Sequence, residues 1–146
     1  MKIALAADHA GFEFKERLVR ELESLGHEVT DFGTGGTASC DYPDFAIPAA
    51  RAVGEGKADR AILCCTNGIG MGMTANRIPG VRGALIYNAR TAAMTRAHHD
   101  SNVLCLGAGE FPGDELVAWV KVWLDTPFEG GRHERRVGKF QALEKK

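Results

Sequence analysis

The chain has 146 residues, 45% of them apolar and 25% charged, and its formal net charge is -1. That is enough chain for one domain with a real core, and the near-neutral balance gives no electrostatic case for a nucleic-acid partner or a membrane surface. No apolar run reaches membrane-spanning length, no signal-peptide pattern opens the chain, and Cys40, Cys64, Cys65 and Cys105 lack zinc-like spacing, so a reduced, cytoplasmic protein is expected.

Apolar runs alternate with amphipathic ones from end to end. Residues 2–7 read as a strand with little alternation, the pattern of a strand covered on both faces. Residues 11–25 read as a helix with Phe14, Leu18, Leu22 and Leu25 on one stripe, ended by Gly26. A second strand is expected over 27–32 and a turn-rich loop over 33–40. Asp41 opens a helix running to about Val53, and 61–65 form a third strand. A short helix over 68–77 ends before Pro79-Gly80. Strand four is expected over 82–87, a helix over 89–98, strand five over 102–106, and a helix with Trp119 and Trp123 over 114–124. The charged tail, 132–146, looks helical. This β-α alternation predicts a three-layer α/β/α sandwich around a five-stranded parallel, Rossmann-like sheet, with residues 1–146 forming one domain. Such folds bind ligands outside the carboxyl ends of their strands.

Three stretches there carry candidate chemistry. Asp8 and His9 put a carboxylate and an imidazole at the end of strand one. Cys65 ends strand three and leads through Thr66, Asn67, Gly68, Ile69 and Gly70 into a helix, whose amides favour a thiolate and a developing oxyanion. Arg132 and Arg136 lie four apart, on one face of a helical tail. An acid/base pair and a guanidinium clamp suit an enzyme of phosphorylated metabolites. Each has a plainer reading when taken alone: buried strand cysteines, a capping pair or receiver-type acidic site, a solvated basic helix. Side chains alternate along a strand, so only one of Cys64 and Cys65 can face the site. The glycine turn is neither a dinucleotide fingerprint nor a P-loop. The His98-His99-Asp100 run has no third ligand at suitable spacing, so no metal is expected there.

Taken together, the order DHAGF, DYPDFA, C-x-x-G-x-G-M, H-x-D-x-N-V-L and GGRHERR resembles the type B ribose-5-phosphate isomerases and the related galactose-6-phosphate isomerase subunits, from Met1 to Val137. The resemblance implies a dimer or dimer of dimers that uses no metal and no organic cofactor. It implies that Cys65 is the general base, with Met71 where other members carry a glutamate. It implies that His98 opens the sugar ring, that Asp8 and His9 bind substrate, that Arg132 and Arg136 grip phosphate, and that the 66–70 amides form the anion hole. The expected reaction is ribose 5-phosphate to ribulose 5-phosphate through an enediolate. The alternatives are a related tetrose or hexose phosphate, such as galactose 6-phosphate or allose 6-phosphate, or a non-catalytic sugar-phosphate-binding subunit.

Three departures touch the sugar or its phosphate. Thr66-Asn67 stands where Gly-Thr is common, His99 where an asparagine is common, and Glu110 near the place of an arginine. From His99 and Glu110 a shift toward a four- or six-carbon sugar phosphate is expected. Topology adds an expectation of its own. Cys65 ends a strand, whereas His98 precedes one, so the two belong on opposite edges of the sheet. They can meet only if a two-fold related copy brings its His98 to this chain's Cys65, which predicts an obligate dimer with shared sites. No nucleic acid or membrane enters this reading.

Overall fold

In the computed structural model, which describes residues 1–144, five parallel strands form one sheet in the order β2-β1-β3-β5-β4. The elements are β1 (Lys2–Ala7), α1 (Phe12–Ser24), β2 (Glu28–Asp31), α2 (Tyr42–Gly54), β3 (Arg60–Cys65), α3 (Ile69–Ala75), β4 (Gly83–Leu85), α4 (Ala89–His99), β5 (Val103–Gly107), α5 (Gly113–Asp125) and α6 (Arg132–Gln141), with a 3₁₀ turn over Ala142–Glu144. None of these helices is long and apolar enough to cross a membrane.

The direction of each crossover sets the layers. The chain steps one way from β1 to β2 and the other way from β2 to β3 and β4, then back to β5. Right-handed crossovers then place α1 and α4 on one face and α2 and α3 on the other. The buried side chains sort accordingly. Ile3, Leu5, Ile62, Cys64 and Leu104 meet Phe14, Leu18 and Leu22 of α1 and Leu116, Val120 and Trp123 of α5. Ala4, Ala6, Leu63, Cys65 and Cys105 meet Ala46, Ala49 and Ala50 of α2 and Met71 and Ala75 of α3. The alanines let α2 approach the sheet closely. The inner strands β1, β3 and β5 are buried on both faces, which is why their sequences show no alternation.

The element boundaries differ from the sequence expectation mainly at ends. Leu25 does not join the apolar stripe of α1. It is half exposed, because the helix closes at Ser24 and Gly26, at φ +89°, turns the chain toward β2. Strand β4 is three residues long. Beyond it Asn88 accepts from the Thr91 amide at 2.7 Å and starts α4 with a capping box. Helix α6 stops at Gln141, and the last two residues of the expected tail helix lie outside the described residues. The tail turns back on its own chain, where both Glu144 carboxylate oxygens accept from the Gly80 amide at 3.1 Å.

Two buried polar groups tie layers together. The Trp123 indole N–H donates to Ser101 Oγ at 2.9 Å, which spares α5 an unpaired buried donor. Lys15 is 1% exposed, and its ammonium donates to Asp31 at 2.7 Å and Glu16 at 2.8 Å. Burial works against that charge, but the two carboxylates outweigh it and hold the lysine above its ordinary pKa.

Candidate active site

Two groups of functional side chains form at opposite edges of the sheet. The first lies where β1 and β3 end side by side, the point at which the strand order reverses. Asp8 follows β1. Its amide donates to the Cys64 carbonyl at 3.2 Å, and its Oδ1 accepts from the Ala10 and Gly11 amides at 3.0 and 3.2 Å. Gly11 is required at this crossing, since a Cβ there would stand 2.5 Å from the Cys64 carbonyl oxygen. His9 is held next to it: its Nδ1 accepts from the Cys40 amide at 3.2 Å, which leaves the neutral ring's proton on Nε2.

Cys65 ends β3 and faces the α2–α3 layer, whereas Cys64 faces α1 and α5. Gly68, at φ +80°, turns its amide back onto Cys65 Sγ at 3.2 Å, supplying a donor to a sulfur anion. The Ile69 amide is taken by Asn67 Oδ1 at 3.0 Å. Two of the amides expected to form an anion hole are therefore already engaged within the loop. The loop itself is locked to the segment after β5, where the Ala108 and Gly109 amides donate to the Cys65 and Thr66 carbonyls at 2.9 Å. A cleft of about 390 Å³ opens here, with Asp8, Cys65, Thr66, Asn67, Ile69 and Gly70 on its walls and Tyr42 and Met73 closing it. Burial pushes the Cys64 thiol far up, and the Cys105 thiol up to about 12. Cys65 is thus the sheet thiol with access to the cleft.

The second group lies where α4 ends before β5, on the amino-terminal edge. His98 stacks on His133 of α6, with ring centroids 4.0 Å apart and planes 9° apart. Glu129 Oε1 lies 3.5 Å from His133 Nε2 and 3.9 Å from His98 Nε2. His133 and Val137 are the inward stripe of α6, and Arg132 and Arg136 are exposed on its outer side. His99 points elsewhere, into a cavity of about 330 Å³ shared with Asn76, Arg82 and Phe140. Arg96 holds the end of α4 by donating to Asp100 at 2.9 Å and to the Ser101 carbonyl at 2.7 Å.

Within one chain the structure brings Asp8, Cys65 and residues 66–70 together with His9 beside them, and separately gathers His98 with the arginine helix. The edges are at least the length of β5 apart, roughly 13 Å at about 3.3 Å per residue. The donor atoms of His98, Glu129 and His133 lie within 4.8 Å of one another, as a metal site would need. Their rings are parallel, so their in-plane lone pairs do not converge on one point as they stand. Three neighbours went unassigned in the sequence. Tyr42 sits in the DYPDFA run and packs so close to Gly70 that a Cβ there would meet its ring at 2.5 Å. His133 and Glu129 lie in a run dominated by charged residues, and the one sequence signal for His133 is the four-residue spacing of an inward stripe that it shares with Val137.

Comparison with known proteins agrees with this geometry. The family model described as Ribose/Galactose Isomerase matches residues 3–140. Ribose-5-phosphate isomerase B of Escherichia coli is 39% identical over 146 residues, covering 99% of this chain and 97% of that protein. The structure of Clostridium thermocellum ribose-5-phosphate isomerase B superposes with a TM-score of 0.97 at 43% identity, covering 99% of this chain and 97% of that one. Ribose-5-phosphate isomerase B from Mycoplasma genitalium, solved with bound ribulose-5-phosphate, superposes with a TM-score of 0.95 at 38% identity over 98% of this chain and 95% of that one. A fold, a site order and relatives that agree over nearly the whole chain make it a member of the ribose/galactose isomerase family.

Proposed function

We propose that this chain interconverts ribose 5-phosphate and ribulose 5-phosphate, with Cys65 as the base that moves a proton between C1 and C2. The reading is supported chiefly by the Cys65 thiol in the Asp8 cleft, with the Gly68 amide directed at its sulfur. The thiolate takes the C2 hydrogen of the open aldose, and the electron pair of that bond forms the enediolate double bond as the carbonyl oxygen gains charge. The proton held on sulfur, which can exchange with water, is then delivered to C1 while the O2 hydroxyl proton passes to the C1 oxygen, leaving a ketone at C2 and a hydroxyl at C1. The amides of the 66–70 loop that are not already taken by Cys65 Sγ and Asn67 Oδ1 hold the oxygens that change charge.

The sugar enters mostly cyclic, so a second group must open the ring, and His98 takes that role. Because His98 lies on the other edge, it acts from a two-fold related copy: His98 of the partner subunit meets this chain's Cys65 cleft. Arg132 and Arg136 lie on the helix packed beside His98 and come with it, gripping the phosphate. That remote binding energy positions the reacting carbons. The working form is therefore a homodimer, alone or paired into a tetramer. A pentose phosphate suits the names of the relatives, and it is preferred to the tetrose and hexose alternatives. Within its own chain His99 faces a cavity on the His98 edge, separate from that chain's Cys65 cleft.

The test is hydrogen exchange. In deuterated water the purified protein should exchange the C2 hydrogen of ribose 5-phosphate and the C1 hydrogen of ribulose 5-phosphate, and Cys65→Ser should abolish both. Exchange with hexose phosphates but not with ribose 5-phosphate would reject the substrate. Full exchange by Cys65→Ser would reject the base.

A further inference from the structure

His133 is 5% exposed, and its Nε2 is a buried nitrogen without a hydrogen-bond partner. It lies flat on His98 at 4.0 Å between ring centroids, and one carboxylate oxygen of Glu129 faces both Nε2 atoms. The Glu129 amide donates to the Ala97 carbonyl at 3.0 Å, which fixes this loop against the turn of α4 that carries His98. Two parallel imidazoles at this distance cannot both be charged without strong repulsion, and one carboxylate can balance only one cation. Burial, followed by the charges of His98, Arg132 and Arg136, disfavours protonation of His133, and Glu129 alone favours it.

We propose that His133 and Glu129 are positioning residues for ring opening, holding one proton shared between the two stacked imidazoles so that His98 presents a single labile proton to the cyclic sugar. The proposal rests on the assignment of His98 given above. Opening breaks the bond between C1 and the ring oxygen. The proton on His98 passes to that oxygen, the anomeric hydroxyl loses its own proton to His98, and C1 becomes the aldehyde carbon. His98 ends with the proton count it began with, and no other reactant is needed. A second excess proton on the pair would make both rings imidazolium and remove the acceptor for the hydroxyl proton, and with no excess proton the ring oxygen would face only the far weaker acid of a neutral imidazole N–H.

The groups that face this pair are few. From α4 come His98 and, edge-on to it at 6.2 Å, His99. From the loop before α6 comes Glu129, and from α6 itself Arg132 and Arg136. Within one subunit, these are the groups that bear on any pH dependence of the pair.

Two variants test the idea: His133→Phe, which keeps an aromatic ring against His98, and Glu129→Gln, on a residue exposed enough to leave folding alone. Both are assayed for conversion of ribose 5-phosphate and for wash-in of deuterium at C1 of ribulose 5-phosphate. The latter substrate has no hydroxyl placed to close a ring, since O5 carries the phosphate. Conversion should fall roughly tenfold or more in each variant, a part of the roughly hundredfold to ten-thousandfold that a positioned acid–base group supplies. Wash-in should keep its rate. The acidic limb of kcat/KM for ribose 5-phosphate should move up in His133→Phe, where Glu129 serves His98 alone, and down in Glu129→Gln, where the shared anion is gone. Equal losses in conversion and wash-in, or limbs that stay put or move the same way in both variants, would overturn the proposal. Should His133→Phe fail to fold, the split between assays and the downward limb in Glu129→Gln decide alone. Absence of all wash-in by the wild type would instead overturn the underlying isomerase reading.

Discussion

The two adjacent cysteines differ in everything but chemistry. Cys64 points into the α1–α5 layer and Cys65 into the cleft, and the period of a strand enforces that difference. Alternation was readable from the sequence, but which cysteine faced which layer was not, because both flanking runs are apolar. Cys65→Ser should leave the melting temperature near wild type and abolish turnover, since a hydroxyl is a far weaker acid than a thiol. Cys64→Ser should show the reverse: activity kept, and stability lowered by about 1–3 kcal/mol for burying a hydroxyl without a designed partner. Activity assays and thermal melts on the same two proteins check both halves. The arginines give a third expectation. Arg132→Ala or Arg136→Ala should raise KM strongly, a loss of about 2–5 kcal/mol when the phosphate contact is well desolvated. It should also lower kcat, because phosphate binding positions the reacting carbons. Wild-type kinetics with free ribose should reproduce both effects together, and a free sugar handled as well as the phosphate ester would dismiss the clamp.

At the scale of elements, helix and strand identities were legible, the inner strands as short apolar runs without alternation and helices such as α1 by an apolar stripe. Ends were less so. Leu25 fits the stripe of α1 by spacing yet lies half exposed, because Gly26 closes the helix before the stripe is complete. Lys15 is a charged residue beside the apolar stripe of α1, and by composition alone it belongs in solvent. It became a buried cation because β2 places Asp31 beside it, a pairing across sixteen residues that no local pattern reports. Asp31→Asn should lower stability by about 1–2 kcal/mol. Breaking a fully buried pair costs about 3–5 kcal/mol, but Glu16 still meets the ammonium and Asp31 is partly exposed. The pH sign follows from the raised lysine. Its folded pKa exceeds its unfolded one, so the pair's stabilisation is fully present below the unfolded value of 10.5 and is lost as pH rises through the folded value. Urea titrations of wild type and variant at neutral pH and at strongly alkaline pH should show the gap between them closing at the alkaline end.

At the scale of the molecule, the order of elements was enough to separate Cys65 from His98, and the structure places them in two groups on opposite edges. What the sequence hid is that the arginine helix folds back beside His98 rather than extending freely, since Val137 and His133 read as incidental among so many charges. A mixing experiment addresses the dimer. Cys65→Ser and His98→Asn should each be inactive alone. Unfolded together and refolded, they should recover about a quarter of wild-type activity, because random pairing makes half the dimers mixed and each of these holds one intact site. No recovery in a sample shown to contain mixed dimers would put both residues in one subunit's site.

The sheet order also bears on the sequence of events as the chain leaves the ribosome. Strand β4 is made before β5, but its only neighbour is β5, which fills the gap between β3 and β4. The first three strands can pair as soon as Cys65 is out, whereas β4 has no ladder to join until Gly107 has emerged. From Cys65 to Gly107, about forty residues of synthesis, the nascent chain carries a hydrogen-bonding edge on β3 that belongs to β5, and for about the last twenty of them a short strand waits beyond it. With non-local pairing slow to form, the interval is the one in which a second nascent chain can take the open edge of β3. The brevity of β4, three residues, limits what it can capture while it waits.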